Sequence, residues 1–264
     1  MIDKEKIQKL FINKDFDSVT GIVDKLLLKN KENIFLLNVK GMVHSQKGEF
    51  IDSIRYFEEC LLIDNSNDKI YSNLAFACLS IDDYDKAIEN FEKAAVINNT
   101  SSQYQSQLGS LYLKQGFIPK AIISLENALT LGDKSIKTYS ELSACYAEDN
   151  NEKAIASMEK VLSFDPENIS NIKILSVLCI QFNDYKNSIK YLNRYLDFMP
   201  DDAHINHDLG LSYSLLNEYN LAENSFMRSI EIDPDYCLAW FNLGKMYRRQ
   251  RKYDDAIEVL LWAE

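Results

Sequence analysis

The sequence predicts an all-α fold in which antiparallel helix pairs stack as a solenoid, and three observations support this. Similar residues recur at a period of 34 residues, which is the signature of a repeat architecture. Within each period, large apolar residues recur at helical spacing. Only four prolines and eight glycines occur in 264 residues, so few positions interrupt a helical chain. A solenoid grows by adding such units rather than by enlarging one core.

The clearest period is the segment 203–236, and a second copy follows it directly. The first copy carries Leu209, Gly210, Tyr213, Tyr219, Ala222, Phe226 and Pro234. The second copy carries Trp240, Leu243, Gly244, Tyr247, Tyr253, Ala256, Leu260 and Ala263. Both resemble the W-x2-L-G-x2-Y…A-x3-F…P pattern of the tetratricopeptide repeat. The resemblance extends along nearly the whole chain and implies a right-handed superhelix of antiparallel helix pairs.

Setting Gly210 and Ala222 as positions 8 and 20 of a repeat divides the chain into eight units of one solenoid domain. The first unit is degenerate, the fifth is one residue short between its helices, and the eighth ends before its final turn. The predicted units are 1–33, 34–67, 68–101, 102–135, 136–168, 169–202, 203–236 and 237–264.

Two kinds of position in this frame carry a structural requirement. Positions 8, 20 and 27 hold small residues in most units, which indicates that two helices approach closely there. Position 15 requires a residue that tolerates positive φ, because the first helix of each pair must end there. The residues at position 15 are Gly48, Asp82, Gly116, Asn150, Asn183 and Asn217, and the last unit departs from this pattern with Arg251.

Composition excludes several classes of function. The formal net charge of −11 argues against a nucleic-acid partner, which needs clustered Lys and Arg. No apolar run is long enough for a membrane span, and the first residues do not resemble a secretory signal, so we expect a cytoplasmic protein. The five cysteines lack metal-ligand spacing. We expect Cys237 to be exposed and the other four to be buried.

No catalytic constellation stands out, so the sequence predicts a protein that is not an enzyme and uses no cofactor. His204 and His207 form an H-x-x-H pair on one helix. Zinc requires three or four ligands, and no further ligand lies nearby in the sequence, so no metal site is expected.

Function is therefore expected on the surface. In tetratricopeptide proteins, positions 2, 5, 9, 12 and 13 of the first helices line a concave groove, and the resemblance assigns that role to residues of this chain. Three of them, Phe76, Val177 and Ile180, could instead pack on a neighbouring helix. The candidate partner-binding residues are Lys69, Ser72, Phe76, Leu79, Gln103, Ser106, Ser110, Leu113, Lys114, Lys137, Ser140, Lys173, Val177, Ile180, His204, His207, Leu211, Lys245, Arg248 and Arg249.

The last unit concentrates positive charge in an otherwise acidic chain. Lys245, Arg248 and Arg249 occupy groove positions, and Arg251 and Lys252 follow them. They could form a solvated helix end or an anchor for acidic residues of a ligand. The apolar run at 260–262 has no capping helix after it, which favours self-association through that end of the chain.

These features predict a scaffold that binds a peptide or partner protein in its groove. No nucleic acid or membrane partner is expected. The alternative is the substrate-recruiting arm of a larger enzyme, of glycosyltransferase or sulfotransferase type, that continues past residue 264. The gene sequence beyond this point discriminates between the two.

Overall fold

The computed structural model describes residues 4–147 and 151–262. These residues form helices and connecting turns without a strand, which confirms the all-α prediction. The chain divides into two compact units, Met1–Lys134 and Ser135–Glu264. The division lies next to the expected boundary between 102–135 and 136–168; the bounds of the repeats, and their assignment to one solenoid domain, stay predictions.

Each unit is a series of antiparallel helix pairs, in which we call the odd-numbered helices first helices and the even-numbered ones second helices. The helices of unit 1 are α1 (Lys4–Ile12), α2 (Phe16–Leu27), α3 (Ile34–Gln46), α4 (Phe50–Ile63), α5 (Asp68–Leu79), α6 (Tyr84–Ile97), α7 (Ser102–Lys114) and α8 (Ile118–Thr130). The helices of unit 2 are α9 (Ile136–Tyr146), α10 (Asn151–Phe164), α11 (Ile169–Gln181), α12 (Tyr185–Leu196), α13 (Ala203–Leu215), α14 (Tyr219–Ile232), α15 (Cys237–Arg249) and α16 (Tyr253–Leu261).

Glycine at position 8 allows the two helices of a pair to meet. A Cβ atom built on Gly210 would lie 2.8 Å from Cδ1 of Phe226, and one built on Gly41 would lie 2.6 Å from Cε1 of Phe57. These distances are too short for carbon atoms in contact. The same relation joins Gly109 to Leu125 and Gly244 to Leu260. The large residue at position 24 therefore fills the space that a side chain at position 8 would need.

The small residue at position 20 belongs to the same contact. Ala87, Ala121 and Ala222 are fully buried there. In the pair α3–α4, the Ser53 hydroxyl donates a hydrogen bond of 2.8 Å to the Gly41 carbonyl, so the polar small residue is satisfied as it is buried. Small residues at positions 8 and 20 thus set the spacing of each pair.

The left-handed conformation at position 15 is present wherever the structure describes that position. The φ angles are 79° at Gly48, 58° at Asp82, 77° at Gly116, 61° at Asn183 and 63° at Asn217, which confirms the prediction at these five positions. Asn150 lies outside the described residues. Arg251 adopts φ 63°, so the last repeat makes the same turn with a residue for which the left-handed conformation is unfavourable.

Side-chain caps fix the beginnings of the six first helices from α3 to α13, whereas Tyr236 before α15 makes no such bond. Asn33, Asn67 and Ser101 in unit 1 accept hydrogen bonds from backbone N–H groups in the first turns of α3, α5 and α7. Ser135, Asn168 and Asp202 do the same for α9, α11 and α13. These residues stand at the last position of a predicted repeat, so each connection both ends one repeat and starts the next first helix.

We predict that Gly210→Leu destabilises unit 2 by at least about 3 kcal/mol, because the new side chain displaces Phe226 from the core. Chemical denaturation followed by circular dichroism measures the change. The matched control is Gly21→Ala in α2, where a Cβ meets nothing within 4 Å. This change should stabilise the protein by roughly 0.5–1 kcal/mol through helix propensity alone. An unchanged midpoint for Gly210→Leu contradicts the close-approach account.

We also predict that Arg251→Gly raises the free energy of unfolding by roughly 0.5–1 kcal/mol, because glycine adopts the left-handed conformation without strain. The same denaturation measurement tests it. Gly48→Ala is the opposite control and should lower the free energy of unfolding. Its φ is 79° and no atom lies within 4 Å of the added Cβ, so backbone strain alone causes the loss. A loss of stability in Arg251→Gly would show that the arginine side chain contributes more than the strain costs.

Candidate peptide-binding surface

Adjacent first helices contact one another through polar side chains and so form a continuous face within each unit. In unit 1, Asn73 Nδ2 donates to Asn38 Oδ1 at 3.2 Å and joins α5 to α3. In unit 2, Asn242 Nδ2 lies 2.8 Å from His207 Nε2 and joins α15 to α13. Gln181 Nε2 also donates to the Ala147 carbonyl at 3.1 Å, next to the end of α9. We call the surface that these helices share the first-helix face of each unit.

The first-helix face of unit 1 contains a cleft of about 250 Å³. Its walls come from α1, α3 and α5, and its base is the ring of Phe57 on α4. The lining residues are Phe11, Met42, Ser45, Gln46, Phe57, Asn73 and Phe76. Such a cleft combines aromatic and thioether surface with hydroxyl and amide groups, which suits a side chain of a bound peptide together with its adjacent backbone.

Among the residues that line this cleft, only Phe76 belongs to the partner-binding residues that the sequence predicts. Met42, Ser45 and Gln46 stand at positions 9, 12 and 13 of the unit 34–67, so the position rule identifies them once it is applied to that unit. The signal was therefore present in the sequence. Phe11 lies in the degenerate first repeat, 1–33, where the repeat pattern is too weak to assign a groove position.

Phe76 packs on a neighbouring helix and also keeps part of its surface exposed. Its ring packs edge-on against Phe91, with 5.1 Å between the ring centroids, while 39% of the residue stays exposed. Val177 in unit 2 is 45% exposed, and Ile180 is half-buried against the core around Leu175 and Leu178. A residue of this face can thus pack on its neighbour and still offer surface to a ligand.

The structure places the remaining sequence-predicted residues at different depths. The exposed ones, besides Phe76 and Val177, are Lys69, Gln103, Lys114, Lys137, Ser140, His204, Arg248 and Arg249. The half-buried ones, besides Ile180, are Leu79, Ser110, Leu113, Lys173, Leu211 and Lys245.

Three predicted groove residues are buried: Ser72 at 7% exposure, Ser106 at 8% and His207 at 5%. For His207 the cause is a polar network. Its Nδ1 lies 3.0 Å from Asp208 Oδ1, its Nε2 faces Asn242, and its ring packs on Phe226 and Tyr236. Position in the repeat does not reveal this burial, because it depends on the next first helix. We leave these three residues out of the candidate surface.

Charges on the first-helix face of unit 2 differ between its two ends. Lys137 pairs with Glu141 at 3.8 Å, and Lys173 pairs with Asp202 at 3.3 Å. Lys245, Arg248 and Arg249 on α15 form no ion pair with any residue that the structure describes. The charges of the two lysines are thus paired within the fold, whereas the α15 cations have no carboxylate partner among the described residues.

A larger cleft of about 450 Å³ lies between the second helices α4 and α6, where no binding residue was predicted. Its rim carries Leu62, which is 87% exposed, and Lys93, which pairs with Glu89 at 2.7 Å. The corresponding cleft between α10 and α12 is only about 210 Å³. Tyr191 lines the smaller cleft and stands at the same repeat position as Asn90, which lines the larger one. The Tyr191 hydroxyl donates a hydrogen bond of 2.6 Å to Glu159.

Metal-ligand groups are absent from the described residues, and four of the five thiols have raised pKa values. Residues 4–147 and 151–262 contain no group of three or more His, Cys, Asp or Glu that could hold a metal ion. Burial raises the pKa of the Cys60 and Cys179 thiols to about 12 and that of Cys78 and Cys145 to about 11. Those four thiols stay protonated and enclosed, whereas Cys237 is exposed, as the sequence predicted.

The comparison with known families agrees with the helix pairs. The segments 36–67, 68–100, 139–168 and 203–236 match a tetratricopeptide repeat model, and 225–258 matches a second one. Together these segments cover more than half of the sequence. The chain therefore belongs to the tetratricopeptide repeat family. A search of curated proteins found no match. None of the described helices has the length and apolar character needed to cross a membrane.

Solved structures share the fold at low sequence identity. YrrB, described as a tetratricopeptide repeat protein with an unusual peptide-binding site, has a TM-score of 0.58 at 15% identity and covers 69% of this chain and 95% of its own. The C-terminal part of a repeat protein from Cytophaga hutchinsonii has a TM-score of 0.64 at 18% identity, covering 89% and 97%. A chain of the Naa15/Naa10 complex bound to HypK has a TM-score of 0.68 at 16% identity, covering 92% of this chain and 38% of its own.

We predict that the folded protein reacts rapidly with one equivalent of Ellman's reagent at pH 8, through Cys237, and that the unfolded protein exposes all five thiols. The other four thiols have raised pKa values, so almost no thiolate forms at that pH, and burial blocks access. Cys237→Ser should abolish the fast phase. Fast reaction of more than one thiol in the folded protein would contradict the described burial.

Proposed function

We propose that this chain is an interaction scaffold without catalytic activity, which binds an extended peptide segment of another protein on its first-helix faces. The cleft of about 250 Å³ between α3 and α5 carries this proposal, because it lies on the face that the repeat leaves open. Its volume suits one or two side chains rather than a cofactor, since small-molecule pockets usually enclose about 300–1,000 Å³.

The chemistry of the cleft favours a peptide. Met42 and Phe76 offer apolar surface that adapts to a bound side chain. Ser45, Gln46 and Asn73 carry hydroxyl and amide groups that can pair with the N–H and C=O groups of an extended backbone. A ligand that brings both an apolar side chain and peptide groups would match this lining.

Unit 2 offers a second surface of similar character on its own first helices. Ile174 is 49% exposed and Val177 is 45% exposed on α11. Leu211 is half-buried on α13. Val177 and Leu211 stand at the same repeat position of successive first helices, and their accessible apolar surface suits a partner that follows the face.

Similar proteins support the proposal without identifying a ligand. YrrB is described as having a peptide-binding site, and the Naa15/Naa10 structure contains a bound partner, HypK. The fold thus accommodates protein ligands in related architectures. The role as the recruiting arm of a larger enzyme stays a prediction, which the gene sequence beyond residue 264 tests. The cytoplasmic location and self-association through the exposed end of α16 also stay predictions.

We predict that Phe76→Glu weakens peptide binding by at least about tenfold, or about 1.4 kcal/mol, because it places a charge in an apolar cleft. Peptides are first selected on the wild-type protein from a displayed random library. Their affinity is then measured by fluorescence anisotropy for wild type and variant.

The matched control is Leu62→Glu, which puts the same charge on an exposed apolar residue of the second helix α4. Circular dichroism checks that both variants stay folded. Peptides that bind the wild type and Leu62→Glu but lose affinity for both Phe76→Glu and Met42→Glu support the proposal. An equal loss of affinity in Leu62→Glu and Phe76→Glu contradicts the proposal, and so does unchanged binding to Phe76→Glu.

A further inference from the structure

The first helix α15 carries a stripe in which apolar and basic residues follow one another. Leu238, Phe241, Lys245, Arg248 and Arg249 share one side of the helix, at spacings of three and four residues. Leu238 is 53% exposed and Phe241 is 47% exposed. The stripe is about 16 Å long at the rise of an α-helix, which corresponds to about five residues of extended peptide.

The positive charge of this stripe is not neutralised within the fold. No carboxylate of the described residues forms an ion pair with Lys245, Arg248 or Arg249. The helix α15 itself contains no acidic residue. Asp208 is the acidic residue of the neighbouring helix α13, and its carboxylate already lies 3.0 Å from the His207 ring.

Stabilisation of the helix end does not account for all of these cations. Basic residues in a last turn interact favourably with the helix dipole, but the effect falls off beyond that turn. Lys245 lies before the last turn of α15, and its ammonium group stands 5.3 Å from the centroid of the Phe241 ring. The last turns of α9, α11 and α13 contain no basic residue, so the fold does not require one there.

We infer that the stripe on α15 binds an acidic linear segment of a partner protein, with an apolar side chain of that segment against Leu238 and Phe241. This inference deepens the proposed function, on which it rests, by naming the chemical class of the ligand. Arginine presents a planar fork that matches a carboxylate, so Arg248 and Arg249 recognise Asp or Glu side chains.

The rest of the chain limits the ligand to a short segment. The net charge of −11 opposes a long polyanion. At physiological ionic strength, charges beyond about 8 Å are screened, so the local cations decide the binding of a short acidic peptide. A nucleic acid or an anionic membrane would extend past the stripe over an acidic surface.

The test uses a short fluorescent peptide of alternating acidic and Leu or Phe residues. Its control peptide has Gln and Asn in place of Glu and Asp. Fluorescence anisotropy should show at least about tenfold tighter binding of the acidic peptide, since each such factor needs only about 1.4 kcal/mol from the combined ion pairs. Equal binding of the two peptides overturns the inference.

Arg248→Glu combined with Arg249→Glu should remove this preference. The matched control is Lys160→Glu combined with Lys186→Glu, which changes the net charge equally on exposed residues of the second helices α10 and α12. It should change affinity by less than about twofold, because its charges lie off the stripe. Equal losses in the two double variants would assign the effect to net charge and overturn the inference. If the reversed pair unfolds by circular dichroism, Arg248→Gln with Arg249→Gln replaces it.

Two further measurements separate the competing ligands and the two proposals. Oligothymidylate and vesicles containing phosphatidylserine are tested against the same variants, and binding of either that depends on Arg248 and Arg249 overturns the inference. Library-selected peptides that need Phe76 should still bind the Arg248 and Arg249 double variant. If the library-selected peptides bind through Phe76 while the wild-type protein binds the acidic and control peptides equally, the inference falls and the proposed function stands.

Discussion

The contact on which each helix pair depends is the close approach of the backbone at position 8 to the large residue at position 24. In both units, glycine leaves the space that Phe57, Leu125, Phe226 or Leu260 occupies. In these four pairs the distance between the helices is therefore set by the absence of a side chain, and in other pairs a small buried residue such as Ala75 or Ser176 stands at position 8. Because that spacing fixes which side of the first helix is covered, it also determines which side is left to form the first-helix face.

Turns and caps make the pairs repeat. A left-handed residue ends the first helix at Gly48, Asp82, Gly116, Asn183 and Asn217. After the second helix of the pair, a capping side chain starts the next first helix at α5, α7, α9 and α13. None of these residues lines the cleft between α3 and α5. The residues of the first-helix face can consequently change without disturbing the pair, which is how one fold supports different partners. In this chain they provide an apolar cleft on α3 and α5 and a basic stripe on α15.

Local backbone requirements were readable from the sequence, whereas contacts between repeats were not. The glycine contacts and the left-handed turns follow from residue type at a fixed position. The position rule identifies Phe76 in the repeat 68–101 and Met42 in the repeat 34–67. The burial of His207 depends on Asn242, which is 35 residues away, and the large cleft beside Leu62 lies between α4 and α6, which belong to different repeats. Those outcomes arise when helices from different repeats meet.

The central claim is that ligands contact the first helices and not the second. Photo-crosslinking tests it most directly: a library-selected peptide carrying a benzophenone side chain is irradiated with the wild-type protein, and the attached residues are mapped by mass spectrometry. We expect the peptide to crosslink to α3 and α5 or to α11, α13 and α15, near residues such as Met42, Phe76 and Phe241. Attachment confined to the second helices, for example beside Leu62 in the cleft between α4 and α6, would contradict it.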